Sequence, residues 1–253
     1  MAWTECSEPR PFAAQRLICF PHAGGSSYFF REWRKALPEF EVHAVCYPGR
    51  ADRFAEPVAA DLMDLAQHLA EAILPLLDRP TVFFGHSMGA VIAYETTRLL
   101  EDRGASPAHL FVSGARAANL IHPDPRAAAM DDETVVETLV ELGGTDTELL
   151  DNPMFRELIL PYVRGDFRML GSYGHRAGRI LSCPVTAVAG DADPRVTAEQ
   201  SAGWAELTSG AFQHRMVPGD HFYLAGNPPY DLIRETSAPG GQENTDRLAD
   251  GLS

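Results

Sequence analysis

Short apolar runs alternate with longer segments of helical spacing along most of this chain. Arg16-Leu17-Ile18-Cys19-Phe20, Val42–Tyr47, Thr81–Phe84, His109–Ser113, Pro184–Ala189 and Phe212–Val217 each read as a strand. Between the second and third, Leu62, Leu65, Leu69, Ile73 and Leu76/Leu77 recur at the period of a helix. Tyr28–Leu37 and the stretch from Ala90 are further helix candidates. Near-continuous apolar strands separated by helices predict a largely parallel sheet covered on both faces.

The rhythm breaks between Ala115 and Arg179. That stretch shows two helical patterns, Thr134–Val140 and Phe155–Leu160, punctuated by Gly143-Gly144 and Pro161, and no strand. It is longer than an ordinary crossover. The division predicted is a core over 1–114 and 180–235, a helical lid insertion over 115–179, and a polar, disordered tail over 236–253. Leu139, Phe155, Leu158 and Met169 are more apolar residues than a solvent-facing insertion needs.

Composition narrows the function. A net charge of −14 excludes the phosphate neutralisation that nucleic-acid binding depends on. No apolar run is long enough to span a bilayer, and the first residues lack a signal-peptide pattern. Cys6, Cys19, Cys46 and Cys183 show neither CxxC nor metal spacing, which predicts free thiols, no metal, and a reduced cytoplasmic setting.

The chemistry centres on Gly85-His86-Ser87-Met88-Gly89, a G-x-S-x-G pattern between a strand and a helix. That setting places a serine hydroxyl on a sharp turn as a nucleophile. A serine needs a base, and the base needs a carboxylate to hold its tautomer. His221, in the loop Pro218–Phe222 after the last strand, is the candidate base. His86 lies inside the turn, where packing or a structural hydrogen bond is expected. Asp193, in Gly190-Asp191-Ala192-Asp193-Pro194, is preferred as its orienting carboxylate; Asp191 is expected to brace the loop, and Asp220, adjacent to His221, to point away. The chain order Ser87, Asp193, His221 is that of α/β-hydrolases. The oxyanion donors predicted are the backbone N–H of Met88 and that of Ala23, in the glycine-rich loop after the first long strand.

Phe20-Pro21-His22-Ala23-Gly24-Gly25-Ser26, Tyr47-Pro48-Gly49-Arg50, Gly85–Ala90, Gly190-Asp191-x-Asp193 and Gly219–Phe222 together resemble the type II thioesterases of polyketide and nonribosomal peptide synthesis. The likeness runs from about Arg16 to Leu224. It implies an α/β-hydrolase fold and hydrolysis of acyl groups from the phosphopantetheine arm of an acyl or peptidyl carrier protein, to clear stalled synthases. It implies no cofactor, a cytoplasmic monomer, and the same triad, oxyanion donors and lid. The alternatives are a carboxylesterase or an acyl-CoA thioesterase with the same triad. Family members close with an amphipathic helix, of which Tyr230–Arg234 looks like a short remnant. Carrier proteins are acidic, so recognition should be local. Arg50 and Arg53, after the turn at Tyr47-Pro48-Gly49, are candidate contacts for the arm's phosphate, with pairing to Asp52 or Glu56 as the competing role.

Overall fold

A computed structural model describes residues 2–142 and 152–237. Its centre is a seven-stranded sheet in the order β1-β3-β2-β4-β5-β6-β7. The strands are β1 (Thr4–Glu5), β2 (Gln15–Phe20), β3 (Phe40–Val45), β4 (Thr81–His86), β5 (His109–Ser113), β6 (Val185–Gly190) and β7 (Phe212–Val217). All neighbours run parallel except β1, which pairs antiparallel with β3. This is the sheet the strand–helix alternation predicts, with β1 added.

Alternation along each strand divides the core in two. Ile18, Phe20, Phe83, Leu110 and Val112 face one cluster; Leu17, Cys19, Val82, Phe84 and Phe111 face the other. The first cluster is closed by α2 (Leu62–Ile73) and α3 (Met88–Glu101). Asp61 caps α2, accepting the N–H groups of Met63 and Asp64 at 2.7 and 3.0 Å, and Leu62, Leu65, Leu69 and Ile73 are all buried. The opposite cluster is closed by a 3₁₀ turn over Ser27–Phe30, by α1 (Trp33–Ala36) and by the chain after β7.

Between β5 and β6 the described residues contain no strand. They form α4 (Pro125–Ala128), α5 (Asp132–Leu142) and α6 (Pro153–Ser172); residues 143–151, including the expected Gly143-Gly144 break, lie outside the described residues. Pro161 does not end a helix here. It sits on an exposed position of α6, which continues through it. Val135, Leu139, Leu160, Tyr162 and Val163 form a small core between α5 and α6. Leu139 and Phe155 face inward, Met169 joins the main core, and Leu158 is exposed.

After β6 come α7 (Ala198–Ala202) and, beyond β7, α8 (Tyr223–Gly226) and α9 (Tyr230–Ser237). The short remnant expected over Tyr230–Arg234 is a helix that extends to Ser237, two residues into the stretch expected as a tail. Helix α9 runs through Thr236, Ile233 is fully buried against the second cluster, and Tyr230 meets Trp33 edge to face at 5.4 Å. Leu232 packs at the rim of the same cluster, and Arg234 pairs with Glu39 at 2.7 Å. Residues 238–253 lie outside the described residues. All four cysteines are free, and no helix among the described residues is long and apolar enough to cross a membrane.

Candidate active site

Parallel strands deliver their following loops to one edge of the sheet, the edge where open α/β sheets place ligands. The loops after β2, β4, β5, β6 and β7 meet there.

Ser87 stands at the junction of β4 and α3 with φ 54° and ψ −120°, a backbone conformation that side chains rarely adopt. Holding it there takes on the order of 1–3 kcal/mol from the surrounding structure. Its N–H donates to the Ser113 carbonyl at 2.7 Å and its carbonyl accepts from Ala90 N–H at 3.0 Å. The glycines on either side are obligatory. A Cβ on Gly85 would lie 2.4 Å from the Gly89 carbonyl oxygen, and one on Gly89 would lie 2.1 Å from that of Phe20. The turn therefore packs backbone on backbone and leaves the Ser87 side chain projecting into a cavity.

His221 Nε2 lies 3.0 Å from Ser87 Oγ, and His221 Nδ1 lies 2.8 Å from Asp193 Oδ2. His221 is 3% exposed, and the Asp193 side chain is fully buried. The loops that carry them are laced together. Asp193 Oδ1 accepts the N–H groups of Arg195 and Val196 at 2.8 and 3.2 Å. Asp191 Oδ1 accepts Gly219 N–H at 3.0 Å, bracing one loop on the other, and Asp220 Oδ1 turns back to Phe222 N–H at 2.8 Å. The structure thus brings Asp193, and neither Asp191 nor Asp220, to His221.

His86 points away from Ser87 into the protein. Its Nδ1 meets Ser113 Oγ at 2.9 Å, and Ser113 Oγ meets the Tyr223 hydroxyl at 2.8 Å. The His86 ring lies 5.2 Å from that of His221 and 5.9 Å from that of His22. Burial, with the neighbouring His221 and His22, holds the His86 pKa well below the ordinary imidazole value. Burial likewise pushes His22 down to about 3. His221 therefore packs against His86, and His86 against His22, two imidazoles that burial keeps neutral.

In the loop after β2, Gly25 N–H closes a turn on the His22 carbonyl at 2.9 Å, and Tyr47 donates its hydroxyl to the Pro21 carbonyl at 3.1 Å. Ala23 and Ser87 line one cavity. Met88, across from it, is the first residue of α3, where the N–H has no acceptor within the helix.

The expectation that Arg50 and Arg53 reach a substrate phosphate is corrected. Arg50 is 3% exposed and forks onto Asp166 of α6, with Nη1–Oδ2 at 2.6 Å and Nη2–Oδ1 at 2.5 Å. Arg53 is 5% exposed, pairs with Glu56, donates to the Cys46 carbonyl at 2.9 Å and lies over the Trp3 ring at 3.8 Å. Both guanidinium groups are already buried and neutralised.

Two cavities meet at Ser87 and His221. The larger, about 430 Å³, is apolar near Met88, Val91, Met130 and Leu170 and carries Arg116 and Arg126 on its wall. Among the described residues neither guanidinium is paired with a carboxylate; Arg116 donates to the Arg195 carbonyl at 3.1 Å, and Arg126 meets Asp124 through its backbone N–H alone, at 2.9 Å. The smaller, about 240 Å³, is lined by Leu139, Phe155, Ile159, Val163 and Phe167 of α5 and α6. Sequence reasoning missed Asp166, Arg116 and Arg126. Asp166 had a visible signal: it occupies a position of the buried face of α6, with Tyr162, Val163 and Met169, where a carboxylate needs a partner.

Among the described residues, Cys6, Glu41 and His43 bring ligand atoms within 4.8 Å of one another. Glu41 is already held by Arg16 at 2.8 Å and by Arg10 N–H at 3.0 Å, so its charge is taken by a guanidinium.

Comparison with known proteins gives the family and the fold. The thioesterase-domain family matches residues 15–237. Thioesterase PikA5 of Streptomyces venezuelae is 43% identical over 225 residues, covering 88% of this chain and 80% of the relative. The solved structure of the type II thioesterase BorB from the borrelidin biosynthetic cluster is 37% identical, with a TM-score of 0.85 over 92% of this chain and 97% of that one. RedJ, a thioesterase from the prodiginine pathway of Streptomyces coelicolor, is 38% identical, with a TM-score of 0.80 over 88% of this chain and 84% of that one. The chain belongs to the thioesterase family, with the α/β-hydrolase fold, and stands among the type II thioesterases of polyketide and nonribosomal peptide biosynthesis.

Proposed function

We propose that this enzyme removes acyl groups from the phosphopantetheine arm of a carrier protein, through an acyl-enzyme on Ser87. The observation that carries the reading is the continuous line of contacts from Ser87 Oγ through His221 to the buried Asp193, set where two cavities meet.

His221 Nε2 takes the Ser87 proton as Oγ adds to the thioester carbonyl carbon. The resulting oxyanion is met by the N–H groups of Ala23 and Met88. The C–S bond then breaks, and His221 returns its proton to the departing pantetheine sulfur. Water enters, His221 takes one of its protons, and hydroxide adds to the acyl carbon. Collapse breaks the Oγ–C bond, releases the acid and restores the Ser87 hydroxyl. Asp193 holds the imidazole tautomer and balances imidazolium charge throughout. The side chains supply nucleophile, base and electrostatic stabilisation, so the cycle needs no metal or cofactor.

A thioester has two arms, and the site has two cavities. The apolar cavity under α5 and α6 suits the acyl chain. The larger one, with Arg116 and Arg126 on its wall, suits the pantetheine arm and its phosphate. The helices over 115–179 act as a lid on both. With a net charge of −14, the protein offers an acidic carrier no long-range attraction, so these two arginines supply the local one.

The test is turnover of an acyl carrier protein loaded with a simple acyl group. Ser87→Ala should remain folded and fall to background. Near-normal turnover in that variant would overturn the reading. Hydrolysis of oxygen esters alone would make the enzyme a carboxylesterase.

A further inference from the structure

The Arg50–Asp166 pair does more than join α6 to the core. Asp166 Oδ2 accepts the Gly24 N–H at 2.8 Å as well as Arg50 Nη1 at 2.6 Å. Arg50 Nη1 also donates to the Gly25 carbonyl at 3.1 Å. The two charged groups therefore grip consecutive residues of the loop that presents the Ala23 N–H to Ser87. Around them the packing is closed: Asp166 is 1% exposed, and the Arg50 guanidinium lies 4.7 Å from the centre of the Tyr162 ring and 5.3 Å from that of Tyr47. Tyr47 in turn bonds the Pro21 carbonyl, at the start of the same loop. Among the described residues, the polar grips on residues 21, 24 and 25 from outside the loop thus come from Tyr47, Arg50 and α6.

We propose that Arg50 and Asp166 are positioning residues that hold the oxyanion loop in register with Ser87, so that seating of α6 sets the competence of the site. The inference rests on the acyl-transfer reading above. Three properties of the pair fit it. A forked guanidinium–carboxylate pair fixes angle as well as distance. An ion pair sealed from water holds its geometry rigidly. The grip falls on Gly24, next to the donor Ala23, so a displacement there carries directly to the developing oxyanion, where sub-ångström alignment decides the rate. Neither residue touches substrate, so the effect belongs on kcat.

Two variants separate positioning from plain stability. Asp166→Asn is isosteric but sets an amide against the guanidinium and weakens the acceptor for Gly24. Arg50→Met with Asp166→Leu removes both charges together, and replacing a buried pair by apolar groups often leaves stability near wild type. Kinetics are read on an acyl-carrier thioester and on a p-nitrophenyl ester, with melting temperature and the ¹⁵N–¹H signal of Gly24 in glycine-labelled protein. The double variant should melt near wild type and Asp166→Asn below it, because the amide leaves the Arg50 charge buried without a counter-ion; both should lose roughly 10- to 100-fold in kcat on both substrates with KM within about threefold, and shift the Gly24 amide signal upfield. A folded Asp166→Asn protein with wild-type kcat overturns the proposal, as does a double variant that keeps both its melting temperature and its kcat. Should the double variant not fold, Arg50→Lys, which keeps the charge but loses the fork, replaces it and must also lower kcat. Wild-type protein that hydrolyses neither substrate would refute the proposed function instead, while the Gly24 signal would still report on the contact.

Discussion

Asp193 divides its carboxylate between two tasks: Oδ2 meets His221 Nδ1 at 2.8 Å, while Oδ1 holds the N–H groups of Arg195 and Val196. The backbone grip fixes the carboxylate, and the carboxylate fixes the imidazole. Asp193→Asn should keep the fold and lower kcat by about 10⁴, because an amide can present the wrong partner to Nδ1. Asp191→Asn, which loosens only the bond to Gly219 N–H, should lower it far less. Steady-state kinetics on a carrier thioester rank the two, and the reverse order would reassign the role.

Replacing both Arg116 and Arg126 by alanine should lower kcat/KM roughly tenfold on acyl-carrier and acyl-CoA thioesters, the loss of one or two charge-assisted hydrogen bonds. The same acyl group on a short thiol without phosphate should be hydrolysed at the wild-type rate. An equal loss on all three would mean that the arginines shape the cavity rather than bind the arm.

Helices α5 and α6 should differ in hydrogen exchange. Few residues of α5 are buried: Val135, Thr138 and Leu139. The second half of α6 buries Tyr162, Val163, Asp166 and Met169 and is tied to Arg50. Peptides from 132–142 should exchange faster than those from 162–170, and the sheet slowest of all. Equal protection of α5 and α6 would exclude a lid that moves mainly through α5.

Acid should destabilise the protein through its buried neutral histidines. Burial pushes His109 down to about 4, with its Nε2 on Thr186 Oγ1 at 2.8 Å. In the unfolded chain the imidazole titrates near about 6.5, so between those values the unfolded state binds the extra proton. The contribution of His109 is complete above about pH 6.5 and is lost as pH falls toward 4, at up to ~1.4 kcal/mol per pH unit. His109→Gln should flatten the fall of melting temperature over that interval while leaving kcat unchanged. An unaltered slope would show that His109 is not the group responsible.

The strands and the turn at Ser87 were legible because their signals are local: an apolar run, a glycine two residues either side of a serine, a period of 3.6. The contacts of His221 with Ser87 and Asp193 were legible because each of these residues follows a strand, and parallel strands send their following loops to one edge. What escaped was pairing at a distance. Arg50 was read against its neighbours Asp52 and Glu56, yet its partner lies 116 residues away on α6; Arg53, whose partner is Glu56, was within reach of a local reading. Pro161 read as a break, but it sits on an exposed turn of α6, where solvent can satisfy the carbonyl it leaves unpaired. Strand β1 has only two residues, too few to show any period.

That small strand has a consequence for how the molecule behaves in a crowded solution. All six residues of β3 are buried, and β3 would be the last strand of the sheet if Thr4 and Glu5 did not pair with Val45 and Ala44. A bare edge of that kind, with Val42, Ala44 and Val45 beside a row of open amides and carbonyls, is a template for a strand from another molecule. Two residues laid antiparallel across its end, one of them a glutamate that accepts the Ser27 hydroxyl at 2.6 Å, are enough to blunt it. At the far side β7 is guarded differently, by Gln213, His214 and Arg215. One rim of the sheet is sealed by backbone and the other by polarity, and loosening the first should let two molecules pair through β3.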